Sequence, residues 1–252
     1  MRLTLLLICV ASCGPAPIDA GGVPPSTLAQ GLIAHWSFDE LTGTKVTDRS
    51  GNGHDGVTSP TPGWGAEGRF GAGLRLQTSD SVSFLAFAPT ITAAMPGLTV
   101  SGWIKLSEAD RMMFPRDRAV LLTSEQSGGW EIEFDPRDGF DWLEASYSVP
   151  SIGDYVILRC KCIDLDVWMH WAVVFDSMQN RFTLYRDGVS VDTSKLAAAG
   201  PPLPGSPELF IGKWYQGPRP IPGVIDDYAI WSRALTAEEI FTVHTRGVPD
   251  PL

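Results

Sequence analysis

The 252-residue sequence predicts an all-β protein, a sandwich of two antiparallel sheets that ends in one short C-terminal helical turn. Two observations predict this class. Short stretches of alternating apolar and polar residues recur along the chain, as in Leu98–Leu106, where Thr99, Ser101 and Lys105 form the more polar face. Glycine, proline, asparagine and aspartate separate these stretches at short intervals, which is typical of many short strands joined by turns.

The predicted strands begin with Leu32–Phe38, in which every second side chain is apolar. Trp168–Phe175 is apolar on both faces, as expected of a strand buried between two layers. Asp187 and Gly188 stand between two alternating runs and predict a tight hairpin turn, because both residues tolerate a positive φ. Further strands are predicted at Gly73–Leu76, Val82–Phe84, Ala119–Ser124, Trp130–Phe134, Leu143–Val149, Tyr155–Arg159, Leu209–Gly212 and Val224–Trp231.

A capping box predicts the C-terminal helical turn. Thr236 and Glu239 have the spacing at which a hydroxyl and a carboxylate each satisfy a backbone N–H at the start of a helix. Leu235 and Ile240 flank this box and supply the apolar contact that fixes the direction of the incoming chain. Helix signals are otherwise nearly absent from the sequence.

The N-terminus carries the features of a targeting segment. Arg2 precedes the apolar run Leu3–Val10, which is too short to cross a bilayer and suits a secretory signal peptide. The adjoining residues Val-Ala-Ser-Cys-Gly resemble the lipobox of bacterial lipoproteins, in which the cysteine is lipidated. This resemblance implies that Cys13 carries the lipid. The alternative is ordinary signal cleavage, in which Cys13 is not lipidated.

The domain boundaries follow from this assignment. Residues 1–13 form the predicted signal peptide and lipobox, residues 14–27 a tether rich in proline and glycine, and residues 28–252 a single domain. The net charge of -10 and a pI near 4.8 exclude nucleic acid and an anionic membrane surface as partners, because phosphate binding requires clustered Lys and Arg. We therefore expect membrane attachment through the lipid alone, at the cell envelope, and a monomer.

Two cysteines remain in the domain, Cys160 and Cys162. On an extended strand they would point to the same face, with Cα atoms near the upper limit for a disulfide, so that a bridge would require a local turn. A disulfide, two free thiols and a metal site all stay open at this stage.

The order of motifs along the domain is similar to that of the laminin-G-like, concanavalin A-like jelly-roll family. The resemblance covers nearly the whole chain after the tether and implies a jelly roll in which the N- and C-terminal strands lie side by side. The segments that carry it are Leu32–Glu40, Asp48–Gly56, Gly68–Leu76, Leu98–Ile104, Trp168–Asp176, Leu184–Gly188, Ile211–Gly212 and Ile225–Leu235.

The same resemblance implies a calcium ion between the first and last strands. Asp39, Asp48, Asn52 and Asp226 would supply side-chain oxygens and His54 its backbone carbonyl, and calcium prefers such oxygen ligands. Alternatively, Asp48 and Asn52 hydrogen-bond their own turn, as these residue types often do, and Asp226 caps the neighbouring strand.

Three acids fall on one face of a predicted strand: Glu131, Glu133 and Asp135. They resemble the catalytic strand of retaining endoglucanases with the same jelly-roll architecture, which would supply a nucleophile and a general acid/base. Their order differs from the Glu-x-Asp followed by Glu that is usual in those enzymes, and a carboxylate displaced by about 1 Å can cost roughly a hundredfold in rate. We therefore expect a solvated strand face and no catalysis.

Aromatic residues in loop-like sequence are the candidate contacts for a ligand, because sugar rings pack on exposed aromatic faces. We expect Trp142, Trp214 and Tyr215 to bind ligand, with Trp64 and Tyr147 as further candidates. The sequence thus predicts a non-catalytic module that binds a carbohydrate or a protein at the cell envelope. A glycoside hydrolase and a purely structural envelope protein are the alternatives.

Overall fold

The structure is a computed structural model that describes residues 23–84, 95–113, 118–124, 129–136, 142–149, 154–196, 208–214 and 216–250. The expected lipid site Cys13 and the expected ligand contact Tyr215 lie outside the described residues.

Strands dominate the described part of the chain, as predicted. The helices are α1 (Pro25–Ala29), α2 (Glu108–Met112) and α3 (Ala237–Arg246). The strands are, in chain order, β1 (Leu32–Trp36), β2 (Lys45–Val46), β3 (Gly56–Thr58), β4 (Gly63–Glu67), β5 (Ala72–Leu76), β6 (Val82–Phe84), β7 (Gly97–Lys105), β8 (Ala119–Thr123), β9 (Trp130–Asp135), β10 (Trp142–Val149), β11 (Asp154–Cys160), β12 (Trp168–Asp176), β13 (Arg181–Arg186), β14 (Val189–Lys195), β15 (Leu209–Ile211), β16 (Lys213–Trp214), β17 (Gly217–Pro218) and β18 (Gly223–Trp231).

The first sheet joins the two ends of the domain. Its strands run in the order β14, β13, β12, β7, β18, β5 and β4, and β1 also pairs with β18. Pairing of β1 with β18 is antiparallel and sets Trp36 opposite Tyr228. This arrangement confirms the predicted jelly roll, in which the first and last strands are neighbours.

The second sheet has the order β11, β10, β9, β8, β15, β6, β3 and β2, again antiparallel. β9, β10 and β11 follow one another along the chain and in space. The hairpin β16–β17 directly follows β15 and forms a small sheet of its own.

The main hydrophobic core lies between the two sheets. Trp36 of the first sheet stacks on Phe84 of the second with 3.9 Å between ring centroids, which joins the two layers. Tyr147, one of the expected ligand contacts, is buried in this core and packs edge-on against Phe175 and Phe182. The expectation for Tyr147 was wrong, because its side chain points from the predicted strand into the core, where a ligand cannot reach it.

The Asp187–Gly188 hairpin turn is confirmed between β13 and β14. Asp187 has φ 49° and Gly188 has φ 77°, so both residues use the left-handed conformation that the sequence predicted for them. A Cβ on Gly188 would approach Phe241 of α3 at 3.1 Å, so this position also needs glycine for packing.

The C-terminal helix α3 is confirmed, and so is its capping box: the Thr236 hydroxyl accepts from Glu239 N–H, and the Glu239 carboxylate accepts from Thr236 N–H. It extends over ten residues and packs through Ile240 and Val243 on the outer face of the first sheet. The sequence did not predict α1 or α2; α2 begins with a second capping box in which Asp110 replaces the usual Glu or Gln.

Folded structure starts before the expected boundary at residue 28. α1 begins at Pro25, and Val23 N–H donates a hydrogen bond to the Thr242 hydroxyl of α3. Residues 23–27, assigned to the tether, are therefore docked on the domain. Among the described helices, none combines the length and the apolar character that a membrane crossing requires.

Candidate functional site

The outer face of the second sheet carries the three acids of β9. Trp130, Ile132 and Phe134 alternate with them and point into the core, so the acids point away from it. The solvated face expected for Glu131, Glu133 and Asp135 is wrong: their exposed fractions are 3%, 0% and 4%. Arginines and a loop cover them instead.

Arg118 lies among these acids and joins two strands. Its guanidinium contacts Glu133 at 2.5 Å and Asp135 at 3.7 Å on β9, and Glu144 at 3.5 Å on β10. Arg159 of β11 holds the same Glu144 through a hydrogen bond of 2.7 Å from Nε. Buried carboxylates require such partners, since an unpaired buried charge costs several kcal/mol.

Arg219 reaches the acids from the segment that follows the hairpin β16–β17. This segment is attached to β8, because Val120 N–H donates to the Arg219 carbonyl and Gly212 N–H donates to the Val120 carbonyl. The Arg219 side chain then contacts Glu131 at 3.3 Å and Glu133 at 3.6 Å. We call Glu131, Glu133, Asp135 and Glu144 with Arg118, Arg159 and Arg219 the acid–arginine network.

A cavity of about 240 Å³ opens beside this network. Glu131, Glu144 and Ser146 line it together with Arg118 and Arg219. Its remaining wall is apolar or aromatic: Tyr155, Ile157 and Trp214.

Trp214 is the one expected ligand contact that the structure places in this cavity. Its ring lies under the Arg219 guanidinium, 3.9 Å from the Cζ atom, a cation–π contact that fixes the indole beside the network. Trp142 is on the second sheet, does not line this cavity, and is half-buried with the Lys161 ammonium 4.8 Å from its ring centroid. Trp64 belongs to the first sheet and donates from Nε1 to the Gly43 carbonyl.

Glu133 is the most deeply placed acid of the network. Burial raises the pKa of its carboxyl well above the ordinary value, and the neighbouring Glu131 and Glu144 add to the shift, while Arg118 and Arg219 oppose it. The network thus holds hydrogen-bonding groups rigidly in a low-dielectric setting with little net charge.

The residues expected to bind calcium fall into two groups. Asp48 accepts four hydrogen bonds within its own region, from the N–H groups of His35, Ser50 and His54 and from the Ser50 hydroxyl. These bonds lower the pKa of Asp48 although burial opposes them. Asn52 donates to the carbonyls of Leu32 and Ile33, and the His54 carbonyl accepts from Trp36 Nε1.

Asp39 and Asp226 instead accept hydrogen bonds from backbone N–H groups in and next to the turn between β4 and β5. Asp226 Oδ2 accepts from the N–H groups of Arg69 and Phe70 at 2.6 and 2.8 Å, and Asp39 Oδ1 accepts from Ala72 N–H. The other oxygen of Asp226, Oδ1, is buried and has no hydrogen-bond partner in the described part of the chain. Burial raises the pKa of Asp226 to about 8, and the nearby Asp227 and Asp39 add to this.

These contacts do not fit one ion held by all five residues, because the oxygens of Asp48 are already saturated. Within the described residues, no three His, Cys, Asp or Glu side chains are placed so that they could hold a metal. Only Asp226, with its unpartnered oxygen, and the nearby Asp39 retain a feature that fits a cation.

Cys160 and Cys162 are joined in a disulfide, one of the three states that the sequence left open. Their Cα atoms are 5.2 Å apart, because β11 ends at Cys160 and the chain leaves the extended conformation there. Arg159 of the acid–arginine network is adjacent to this bridge.

The sequence alone could have located part of this site. Glu144 and Ser146 alternate with Leu143 and Ala145 and thus predict a polar outer face on β10. The positions of Arg118 and Arg219 carry no comparable signal, since both precede or follow strands in irregular segments and reach the acids only through tertiary structure.

The chain belongs to the concanavalin A-like lectin/glucanases superfamily, because the Laminin_G_3 model of that superfamily matches residues 76–241. This match confirms the family resemblance noted in the sequence. No curated protein matches the chain.

Solved structures share the fold. The binding domain of Paraclostridial Mosquitocidal Protein 1 has a TM-score of 0.67 and 18% identity, over 86% of this chain and 52% of that one. The botulinum neurotoxin serotype D binding domain has a TM-score of 0.67 and 15% identity, over 87% and 51%. The chain therefore spans about half the length of these toxin domains.

A third structure is matched over nearly its whole length. Domain 4 of AbnA, a GH43 extracellular arabinanase from Geobacillus stearothermophilus solved in complex with arabinotriose, has a TM-score of 0.61 and 21% identity, over 85% of this chain and 98% of that one. At these identities the likeness establishes the fold alone.

Proposed function

We propose that the chain is a non-catalytic carbohydrate-binding module, attached to the cell envelope through a lipid on Cys13. The observation that carries this proposal is the cavity in which Trp214 stands beside the acid–arginine network. A purely structural envelope protein would have no use for such a cavity.

The chemistry of the cavity suits sugars. A sugar presents hydroxyl groups around its edge and C–H groups on its faces. Fixed carboxylates and guanidinium groups, here Glu131, Glu144 and Arg219, bind hydroxyls through strong charge-assisted hydrogen bonds, and an aromatic wall packs on the C–H face. Both kinds of contact are brought together at one place in this fold.

The shape of the site favours a glycan over a protein. A stable protein interface usually covers about 800 Å² on each partner and is broadly flat. The candidate site is instead a concave cavity of about 240 Å³, and concave sites are typical of small-molecule ligands. Domain 4 of AbnA, which has a similar fold, was solved in complex with arabinotriose. That complex concerns AbnA, and it supports our proposal of a sugar ligand for this chain.

Binding to immobilised glycans, with and without Trp214, tests the proposal. Trp214→Ala should reduce binding at least tenfold, because it removes the stacking wall and releases Arg219. Trp64→Ala is the matched control, since Trp64 lies on the other sheet and outside the cavity, and should bind as the wild type does. Absence of glycan binding in the wild type, or equal loss in both variants, would refute the proposal.

Glycoside hydrolysis is the second candidate, favoured by Glu131 in the cavity and by the raised pKa of Glu133 two residues away. Against it, Glu133 is wholly buried and bound by Arg118, whereas a general acid must reach the glycosidic oxygen. We expect no release of reducing ends from β-glucan or arabinan. Turnover that disappears in Glu131→Gln would replace the binding function with an enzymatic one.

The lipid anchor is a separate part of the proposal and needs its own test. The tether that follows the apolar run Leu3–Val10 has no apolar span of its own, so the lipid would supply the anchor. Cys13→Ala should therefore move the processed protein from the membrane fraction to the soluble fraction. Retention of the processed variant in the membrane fraction would contradict lipidation at Cys13.

A structural calcium ion also stays a proposal, now limited to Asp226 and Asp39. The buried, unpartnered oxygen of Asp226 supports it. The ion would add a positive charge where a carboxylate is otherwise uncompensated, and it would have no contact with the sugar.

A further inference from the structure

We propose that the ligand is an uncharged glycan chain that crosses Trp214, with sugar units in two adjoining cavities, rather than a single terminal sugar. This inference rests on the proposed carbohydrate-binding function. It goes beyond that function in naming both the charge and the minimum extent of the ligand.

A second cavity, of about 400 Å³, lies at the hairpin β16–β17 and is lined by Trp214, Gln216 and Pro218 together with Ser79 and Asp80. Trp214 also lines the cavity beside the acid–arginine network, so this one side chain borders both spaces. A ligand that contacts the indole can therefore extend in two directions.

The size of the two cavities favours a ligand that enters both. Sites for small ligands usually measure about 300–1,000 Å³. The cavity beside the network, about 240 Å³, falls below this range, whereas the second cavity, about 400 Å³, lies within it. A single sugar in the smaller cavity would leave the second cavity to water.

The charges of the acid–arginine network nearly balance. Four carboxylates of the acid–arginine network face three guanidinium groups, and each carboxylate contacts at least one of them. Burial favours the protonated form of Glu133, which brings the network close to neutrality. An acidic sugar would have to compete for arginines that are already paired, and an amino sugar for paired carboxylates, at the cost of leaving a buried charge without its partner.

The second cavity is balanced in the same way. Asp80 already accepts hydrogen bonds from Gln77 N–H and the Ser59 hydroxyl, and the Lys213 ammonium lies over the ring of Phe210 at 4.5 Å. Neither group is poised for an ion of opposite sign. In both cavities the charged groups thus already have partners, which favours a neutral polyol over an ion.

The test is a length series measured by calorimetry on the full-length protein. Arabino-, cello- and xylo-oligosaccharides of one to six units are the neutral probes, and oligogalacturonates and chitosan oligomers of the same lengths are the acidic and basic ones. We expect at least one neutral series to gain tenfold or more in affinity between two and four units and then to level off. Charged oligomers should bind at least tenfold more weakly.

Two variants connect this result to the geometry. Ser79→Trp, at an exposed turn position, should fill the second cavity and lower the affinity for a tetramer to that for a dimer. Trp214→Ala should abolish the length dependence altogether.

The outcomes separate the inference from the function beneath it. Equal affinity for one and four units, or a preference for a charged series, would overturn the inference and leave carbohydrate binding in place. Length dependence that survives in Ser79→Trp would overturn the assignment of the second cavity. Failure of every oligosaccharide and every immobilised glycan to bind would reject carbohydrate binding itself.

Discussion

Arg219 links the loop that carries the candidate site to the acids of β9. It contacts Glu131 and Glu133, both buried, and stacks on Trp214. Loss of one partner from a buried ion pair usually costs about 3–5 kcal/mol, because the other charge stays buried alone. Arg219 is itself slightly exposed, so we expect Arg219→Ala to cost about 3 kcal/mol in the free energy of unfolding, measured by urea denaturation.

The exposed pair Arg49–Asp250 provides the control for this prediction. Its side chains are 47% and 59% exposed, and pairs of this kind contribute at most about 1 kcal/mol. Arg49→Ala should therefore be nearly neutral. Similar losses for Arg49→Ala and Arg219→Ala would show that the acid–arginine network does not stabilise the fold as inferred.

His170 makes the stability of the fold depend on pH. Both of its ring nitrogens are buried without a hydrogen-bond partner in the described part of the chain. Burial lowers its pKa well below the ordinary value, and His244 and Arg186 lower it further, while the hydrogen bonds between Asp187 and His170 involve only the backbone of His170. The folded state therefore excludes a proton that the unfolded chain binds below a pH of about 6.5.

It follows that the unfolded state binds more protons than the folded state under mildly acidic conditions, so stability decreases as the pH falls through about 6.5. We expect up to about 1.4 kcal/mol of lost stability per pH unit from this one group between pH 6 and 5. His170→Phe should show a weaker dependence in urea denaturation at pH 7, 6 and 5. Identical slopes for the wild type and the variant would rule out His170 as the origin.

At the scale of secondary structure, the sequence correctly predicted the features that depend only on neighbouring residues. The Asp187–Gly188 turn and the Thr236 capping box formed as expected, because a positive φ and an N-cap depend on neighbouring residues only. The acids of β9 were misjudged, because alternation shows which face they occupy but not what covers it. Arg118 and Arg219 cover that face, and Arg219 is 88 residues away from Glu131 along the chain.

Helix α3 allows a test of how much such a local feature contributes. Thr236→Ala removes the hydroxyl that accepts from Glu239 N–H, and loss of an N-cap usually costs about 1 kcal/mol. Thr245→Ala, near the exposed end of the same helix, should cost much less, since its hydroxyl bonds only to carbonyls of its own helix. Thermal or urea unfolding of both variants checks the difference. Equal effects would show that the capping hydrogen bond of Thr236 does not account for the loss.

The whole molecule is closed by contacts between its two ends. β1 pairs with β18, Trp231 Nε1 donates to the Leu28 carbonyl, and the Arg233 guanidinium bonds to Thr27 and to Glu239. The sequence predicted this closure from the order of its motifs. It could not predict the ligands of an ion, because Asp and Asn side chains both stabilise turns and bind metals. Here Asp48 accepts hydrogen bonds from its own turn.

Calcium binding at Asp226 is the prediction that concerns this closure directly. Asp226 stands on the last strand and holds the turn that leads into β5 through Arg69 and Phe70, while Asp39 follows the first strand and bonds to the same region. A cation at Asp226 Oδ1 would connect these segments, and the unfolded chain cannot reproduce that arrangement. Calcium at about a hundred times its dissociation constant would then add roughly 2.7 kcal/mol, a shift of several degrees in the Tm.

Two isosteric variants distinguish this ion from the turn chemistry around it. Asp226→Asn removes the charge that would bind calcium and should abolish the increase in Tm on adding calcium. Asp48→Asn should lower the Tm, because it weakens four hydrogen bonds, and yet keep the full calcium increment, since Asp48 has no oxygen left for an ion. The wild-type Tm can instead be compared in calcium and in chelator, with protein shown to be metal-free before calcium is added. Equal values would contradict the calcium site. Asp226 would then be buried in its protonated form, and the segments would be connected here by hydrogen bonds without an ion.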